Sequence, residues 1–265
     1  YFKGLESLGY IKLIDPEDLI PKKRIVDDLL ALGLKAGMDV MVHSSLSSLG
    51  YVAGGADAVV DALLEAIGPG GTLLMPSFNH RAAEVYNPMT TPTTNGAIPD
   101  ALWRRPEAAR SMHATHPVSG MGPKAVIYCN TGHVDVGIWA PESPIGRLIH
   151  GGGYILALGV THNFTTAYHV AETSVPCGCI DPFGNIDRVV DRGEVREVRG
   201  LAFRSGLCPV DPETLHGPLR KRGLERFGKV AKADASFVKA IDLWEVHREK
   251  LVGKCPNCAV KPTIR

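Results

Sequence analysis

With 265 residues, 45% of them hydrophobic and 22% charged, the chain is long enough to bury a substantial core and too apolar to be disordered. Its net charge of +1, from 29 basic and 28 acidic residues, argues against a strongly basic nucleic-acid binder. No apolar run approaches the ~18 residues of a membrane-spanning helix, so a membrane partner is not expected.

The charge is unevenly spread. Residues 1–185 carry 12 basic and 17 acidic side chains, a net −5, and residues 186–265 carry 17 and 11, a net +6. The start, Tyr1-Phe2-Lys3, lacks the features of a signal peptide. A reducing cytoplasmic setting without disulfides is therefore expected.

In chain order, Asp15 before Pro16 reads as an N-cap with proline in the first turn. Pro21 opens a helix over Lys22 to Leu32, with Gly33 and Gly37 at its exit. Val40, Met41 and Val42 form a short apolar strand that runs into His43-Ser44-Ser45-Leu46. Apolar residues at 59, 60, 63, 64 and 67 then fit an amphipathic helix behind Gly54-Gly55. Gly68-Pro69-Gly70-Gly71 stops it, and Thr72 to Pro76 reads as a second strand. Strand, glycine loop, helix and strand make a βαβ unit, which favours parallel pairing.

Residues 79–100 read as a long polar surface loop of the kind that often carries function. A short helix is expected at 101–110, and a strand or short helix from Lys124 to Cys129. Ser143-Pro144 opens a further helix through Ile149, and Tyr154 to Val160 reads as a buried strand. The segment from Thr161 to Glu172 reads as a loop turning into a helix. A hairpin is expected around Arg192-Gly193, and an amphipathic helix over 233–251. Without repeats or linkers, the expected fold is a single α/β domain over 1–265, with a mostly parallel central sheet flanked by helices.

Three segments carry candidate chemistry. His169 and Glu172 lie at i and i+3, on one helix face, where the carboxylate can hold one imidazole nitrogen and leave the other as a base. On spacing alone, a helix-surface ion pair fits this pattern better. The Ser44-Ser45 turn, with Gly54-Gly55 beyond it, presents amides suited to phosphate or pantetheine, although it is neither a Walker loop nor a dinucleotide fingerprint. Arg110-Ser111-Met112-His113, with Thr115-His116, gathers an arginine and two histidines that suit an anionic group or an ordinary hydrogen-bonded loop.

Taken together and in order, these stretches resemble the aminoglycoside N3-acetyltransferase family, also called the antibiotic acetyltransferase family. The matching residues are His43-Ser44-Ser45-Leu46 with Gly54-Gly55-Ala56, Gly71 to Phe78, Arg110 to His113 with Thr115-His116, Ser143-Pro144-Ile145-Gly146, and Leu158-Gly159-Val160 running into Thr166 to Glu172. They cover about residues 10–185, while 186–265 match poorly. One departure is Thr165-Thr166, where the family usually has Asn-Thr.

The resemblance implies acetyl transfer from acetyl-coenzyme A, as co-substrate, to the 3-amino group of an aminoglycoside or to another small amine. It implies His169 as base, with Glu172 in support. The coenzyme A groove would be formed by His43, Ser44, Ser45, Leu46, Arg110, Ser111, His113, His116, Ser143 and Thr166. A homodimer is a further possible assembly. An acceptor carrying several positive charges calls for carboxylates, and Asp181, Asp187, Asp211 and Glu213 are available.

The cysteines support a rival reading. Cys177, Cys179, Cys208, Cys255 and Cys258 have spacings compatible with a structural zinc clip on a non-catalytic coenzyme A-binding protein, although free thiols fit slightly better. No His-x-x-x-His or His-Glu-x-x-His helix supports a metal hydrolase.

Overall fold

A computed structural model describes residues 15–80, 82–130, 135–175, 180–181, 186–199, 203–204 and 210–252. Asp15 caps a 3₁₀ turn at Pro16–Asp18, its side chain accepting from the Glu17 amide, and helix α1 spans Lys22–Leu32, both as expected. Strand β1 (Asp39–Ser44) leads through the short helix α2 (Leu46–Leu49) to α3 (Gly55–Ile67) and then β2 (Thr72–Pro76). Strand β3 (Val85–Tyr86) and helix α4 (Ala97–Trp103) follow, then β4 (Ala109–Arg110), β5 (Val118–Met121) and helix α5 (Ala125–Cys129).

Helix α6 (Pro144–His150), strand β6 (Tyr154–Leu158), a 3₁₀ turn (His162–Phe164) and helix α7 (Ala167–Thr173) complete the first part of the chain. Beyond them lie β7 (Ile180–Asp181), β8 (Ile186–Asp191), β9 (Glu194–Arg199), β10 (Phe203–Arg204) and a 3₁₀ turn at Pro212–Leu215. Helix α8 (His216–Lys221), β11 (Glu225–Val230), β12 (Ala233–Lys239) and α9 (Ala240–Leu251) close the described chain.

Among the described residues the main sheet has seven strands in the order β11-β12-β6-β1-β2-β5-β4. The three central strands β6, β1 and β2 pair in parallel, as the βαβ reading requires. The expectation of a mostly parallel sheet needs correcting, because β12 on one side and β5 on the other run against their neighbours. For the β11–β12 pair the antiparallel pairing follows from a short connection. Only Ala231 and Lys232 join β11 to β12, too few residues for the dozen or more of a parallel crossover.

The central strands are apolar on both faces because helices cover both. Val40, Val42, Leu73, Met75, Leu156 and Leu158 pack with α1 and α3. Met41, Leu74 and Ile155 point the other way and pack with α6, α7 and α9. This two-residue alternation, with both faces dry, makes each strand read as an uninterrupted apolar run.

Three further expectations change. The 79–100 segment is no bare loop, since it contributes β3 and the start of α4 and buries Tyr86 and Thr91. The helix expected at 101–110 lies instead at 97–103, with Pro99 in its first turn and Pro106 just beyond its end. The helix expected over 233–251 is strand β12 followed by α9. Ala233, Ala235 and Phe237 face one side at strand period, but alanine and lysine give this stretch a helical composition. The hairpin at Arg192-Gly193 forms as expected, both residues having positive φ (52° and 87°), and it joins β8 to β9 beside β3.

Candidate active site

Strands β1, β2 and β6 all end at the same side of the sheet, where open α/β folds usually take ligands. A cleft of about 920 Å³ lies there. His43, Ser44, Ser45 and Leu46 line it from the end of β1, Pro76 and Phe78 from β2, and Gly159 to Thr161 from β6. Gly159 permits this convergence. Its φ is +72°, and a Cβ there would lie 2.5 Å from the Ser48 Cβ, so only glycine lets β6 pass so close to α2.

The 3₁₀ turn after β6 delivers α7, which carries His169 and Glu172. His169 Nδ1 lies 2.6 Å from Glu172 Oε2, and Glu172 is buried. The imidazole stacks on Trp139 at 4.7 Å and packs against Tyr168 at 4.1 Å. The ring is thus held on three sides and lines the cleft, with Nε2 as its remaining nitrogen. A surface ion pair does not fit this setting, because the carboxylate is closed off from solvent.

Three polar atoms around the cleft are buried with no hydrogen-bond partner: His43 Nε2, Ser44 Oγ and Thr166 Oγ1. Unpaired buried polar groups are costly in a closed protein, and here the residues that carry them line the cleft. Burial, followed by the charge of nearby His162, pushes His43 down to about 3, so its ring is neutral at physiological pH. The Ser45 amide is already spent on Leu158 O at 2.9 Å.

The remaining predicted residues separate into two groups. His116 lines the cleft with its Nδ1 2.7 Å from Thr115 Oγ1. Arg110, Ser111, His113 and Ser143 do not line it. The Arg110 guanidinium donates to Thr91 O (2.6 Å), Ser77 O (2.8 Å) and Ser77 Oγ (3.1 Å), and lies 4.4 Å over the Trp103 ring. His113 Nδ1 accepts from the His116 amide at 3.1 Å, Ser111 Oγ accepts from the Val118 amide at 2.7 Å, and Ser143 Oγ caps α6 by accepting from the Gly146 amide. These four residues build the loops around the cleft. Gly54 and Gly55 also lie outside its lining, opening α3.

Arg110 gives a direct stability test. Arg110→Ala takes the donor from the Thr91 and Ser77 carbonyls, while the Ser77 hydroxyl keeps the one from Ser119 Oγ, an expected loss of about 2 kcal/mol. In a chain this long that lowers Tm by about 4–8 °C in a thermal melt.

Sequence reasoning missed several lining residues. Phe78, His80, Thr94, Asn95, Trp139 and Tyr168 all face the cleft. Thr94 and Asn95 belong to the 79–100 segment, whose length was the available signal. The Phe78 amide donates to Asn95 Oδ1 at 2.6 Å, and His80 Nδ1 lies 2.5 Å from Thr94 Oγ1. His80 has φ 46°, a left-handed conformation uncommon for a residue with a side chain.

Of the possible acceptor carboxylates, Asp211 caps a 3₁₀ turn and Glu213 accepts from the Asn163 amide. None of the residues that line the described cleft is Asp or Glu. Cys177, Cys179, Cys208, Cys255 and Cys258 lie outside the described residues, so the zinc clip expected from them does too. Cys129 is buried and its thiol is pushed up to about 12, chiefly by burial, which leaves it unsuited to nucleophilic catalysis. No helix among the described residues is long and apolar enough to cross a membrane.

The family model for aminoglycoside 3-N-acetyltransferase matches residues 41–252. The chain belongs to this family. The chain is accordingly an acyltransferase by class, and the matched stretch includes residues 186–252, where motif resemblance fades. Aminoglycoside N(3)-acetyltransferase IV from Salmonella sp is 35% identical over 224 residues, covering 84% of each chain. Among solved structures, a histidine-to-alanine mutant of aminoglycoside acetyltransferase AAC(3)-IVa in complex with a gentamicin superposes with a TM-score of 0.81 at 26% identity, covering 94% of this chain and 98% of that one. The complex of AAC-IIIb with CoASH has a TM-score of 0.80 at 22% identity, covering 89% and 98%, a likeness of fold.

Proposed function

We propose that this family member transfers the acetyl group of acetyl-coenzyme A to the 3-amino group of an aminoglycoside, with His169 as general base. The observation that carries this reading is the 2.6 Å contact between His169 Nδ1 and buried Glu172 on a ring that lines the cleft. Glu172 holds the Nδ1–H tautomer, so Nε2 bears the lone pair. Nε2 takes a proton from the attacking amine, directly or through water. The amine nitrogen bonds to the thioester carbon, the carbon–sulfur bond breaks, and the coenzyme A thiolate departs. No covalent acyl-enzyme is needed, because the thioester is already activated.

The carbonyl oxygen gains negative charge as this happens, and the hydroxyls of Ser44 and Thr166, which have no partner and belong to residues that line the cleft, are candidate donors to it. The fold shared with a CoASH-bound acetyltransferase supports coenzyme A as the acyl carrier. The names of the relatives support the aminoglycoside acceptor.

A second reading, a less charged small amine as acceptor, is favoured by the absence of Asp and Glu from the described cleft lining. Release of coenzyme A thiol, measured over aminoglycosides with and without a free 3-amine, separates the two. Turnover confined to compounds carrying that amine is the expected result. Coenzyme A binding without turnover on any of them would discard the antibiotic acceptor and retain the second reading.

A further inference from the structure

A second cluster lies behind the cleft wall. His162 sits in the 3₁₀ turn after β6, His216 opens α8, and Glu225 opens β11. His162 Nε2 is 2.9 Å from Glu225 Oε1, and His216 Nδ1 is 2.8 Å from Oε1 and 2.9 Å from Oε2. The side chains of His162 and Glu225 have no solvent exposure. The two imidazoles stack at 4.0 Å, so both approach the carboxylate from one side. The three ligand atoms all lie within 4.8 Å of one another.

We propose that His162 Nε2, His216 Nδ1 and the Glu225 carboxylate bind a divalent transition metal of the zinc class. Two imidazoles and one carboxylate are a donor set for zinc, whereas calcium and magnesium prefer all-oxygen shells. Around one zinc ion, ligand atoms at 2.0–2.2 Å sit about 3.3 Å apart. The observed nitrogen-to-carboxylate separations of 2.8 to 2.9 Å need a few tenths of an ångström of expansion, and the two nitrogens lie within 4.8 Å of each other. The metal replaces the contacts between the two rings and Glu225, and each ring carries its proton on the other nitrogen, which for His162 is the buried, unpartnered Nδ1.

The surroundings fit a supported site. Arg220 Nε, 3.2 Å from Glu225 Oε2, holds the second carboxylate oxygen. Glu213 Oε2 is 3.6 Å from His216 Nε2, a carboxylate beside the ring nitrogen that does not face the metal. Thr161 and Asn163, the neighbours of His162, line the cleft. The metal therefore fastens the strap that carries the cleft wall to α8 and β11.

The test is cobalt(II) titration of the full chain after chelator dialysis under reducing conditions. The expected result is one equivalent whose visible ligand-field bands appear without a thiolate-to-cobalt charge-transfer band. His216→Ala should weaken that binding at least about tenfold, and Glu225→Gln should do the same, with circular dichroism confirming that both variants fold. No ligand-field bands in the wild-type chain would overturn the proposal. So would binding with thiolate character that survives His216→Ala, which would instead assign the metal to the cysteines.

Discussion

Replacing His169 with alanine is expected to lower kcat by about 10²–10⁴-fold, the range over which a positioned base contributes. Affinity for coenzyme A should hardly change, because the ring is held by Trp139, Tyr168 and Glu172 and shapes only one side of a large cleft. Steady-state thiol release gives the first quantity and titration calorimetry the second. Glu172→Gln separates orientation from charge. The amide oxygen can still accept from Nδ1–H, so the tautomer survives, but a neutral partner no longer stabilises the imidazolium formed when Nε2 takes the proton. A smaller loss than in His169→Ala is expected. A kcat for His169→Ala equal to that of the wild type would remove the residue from the reaction.

The second large effect is on stability against pH, and it centres on His43. Burial first, and then the His162 charge, lower this histidine from 6.5 to about 3. The unfolded chain therefore binds a proton at His43 below pH 6.5, while the folded chain refuses it until about pH 3. The stability due to the neutral ring is fully present above pH 6.5 and falls away as pH drops toward 3. By linkage the loss is about 2 kcal/mol at pH 5 and about 3 kcal/mol at pH 4. Glu225 adds a loss of the same sign at lower pH, between its ordinary value of 4.5 and about 2. Denaturant melts at pH 7, 6 and 5 should show this slope, and His43→Gln should flatten it between pH 6.5 and 5. An equal slope in that variant would place the acid sensitivity elsewhere.

The legible parts of this molecule are those whose signals are local. The helix over 22–32, the βαβ unit and the Arg192-Gly193 turn depend on caps, periodicity and glycine, all carried within a few residues. The His169–Glu172 pair is legible for the same reason, being one helical turn. The β11–β12 hairpin is not, because Ala233, Ala235 and Ser236 are strand residues only by virtue of lying between β6 and β11.

The site shows the same division. His43 to Leu46 follow directly from the end of a recognisable strand. Trp139 and His80 reach the cleft from irregular segments, through contacts with residues distant in sequence. Arg110 and His113 show the opposite failure. Their motif is visible and their chemistry suggests a ligand, yet three-dimensional packing turns both inward to hold backbone groups.

The ends of the seven-stranded sheet have a consequence for handling the protein. One outer strand, β4, is only two residues long, and the Arg110 side chain is drawn into the carbonyl cage beside it. The other, β11, sets Arg226 and Lys229 toward solvent around a glycine. Neither border offers the long, flat, uncharged ladder that recruits a foreign strand. A seven-stranded apolar sheet would otherwise be a template for cross-β growth, and here its margins act as gatekeepers against amyloid-like association.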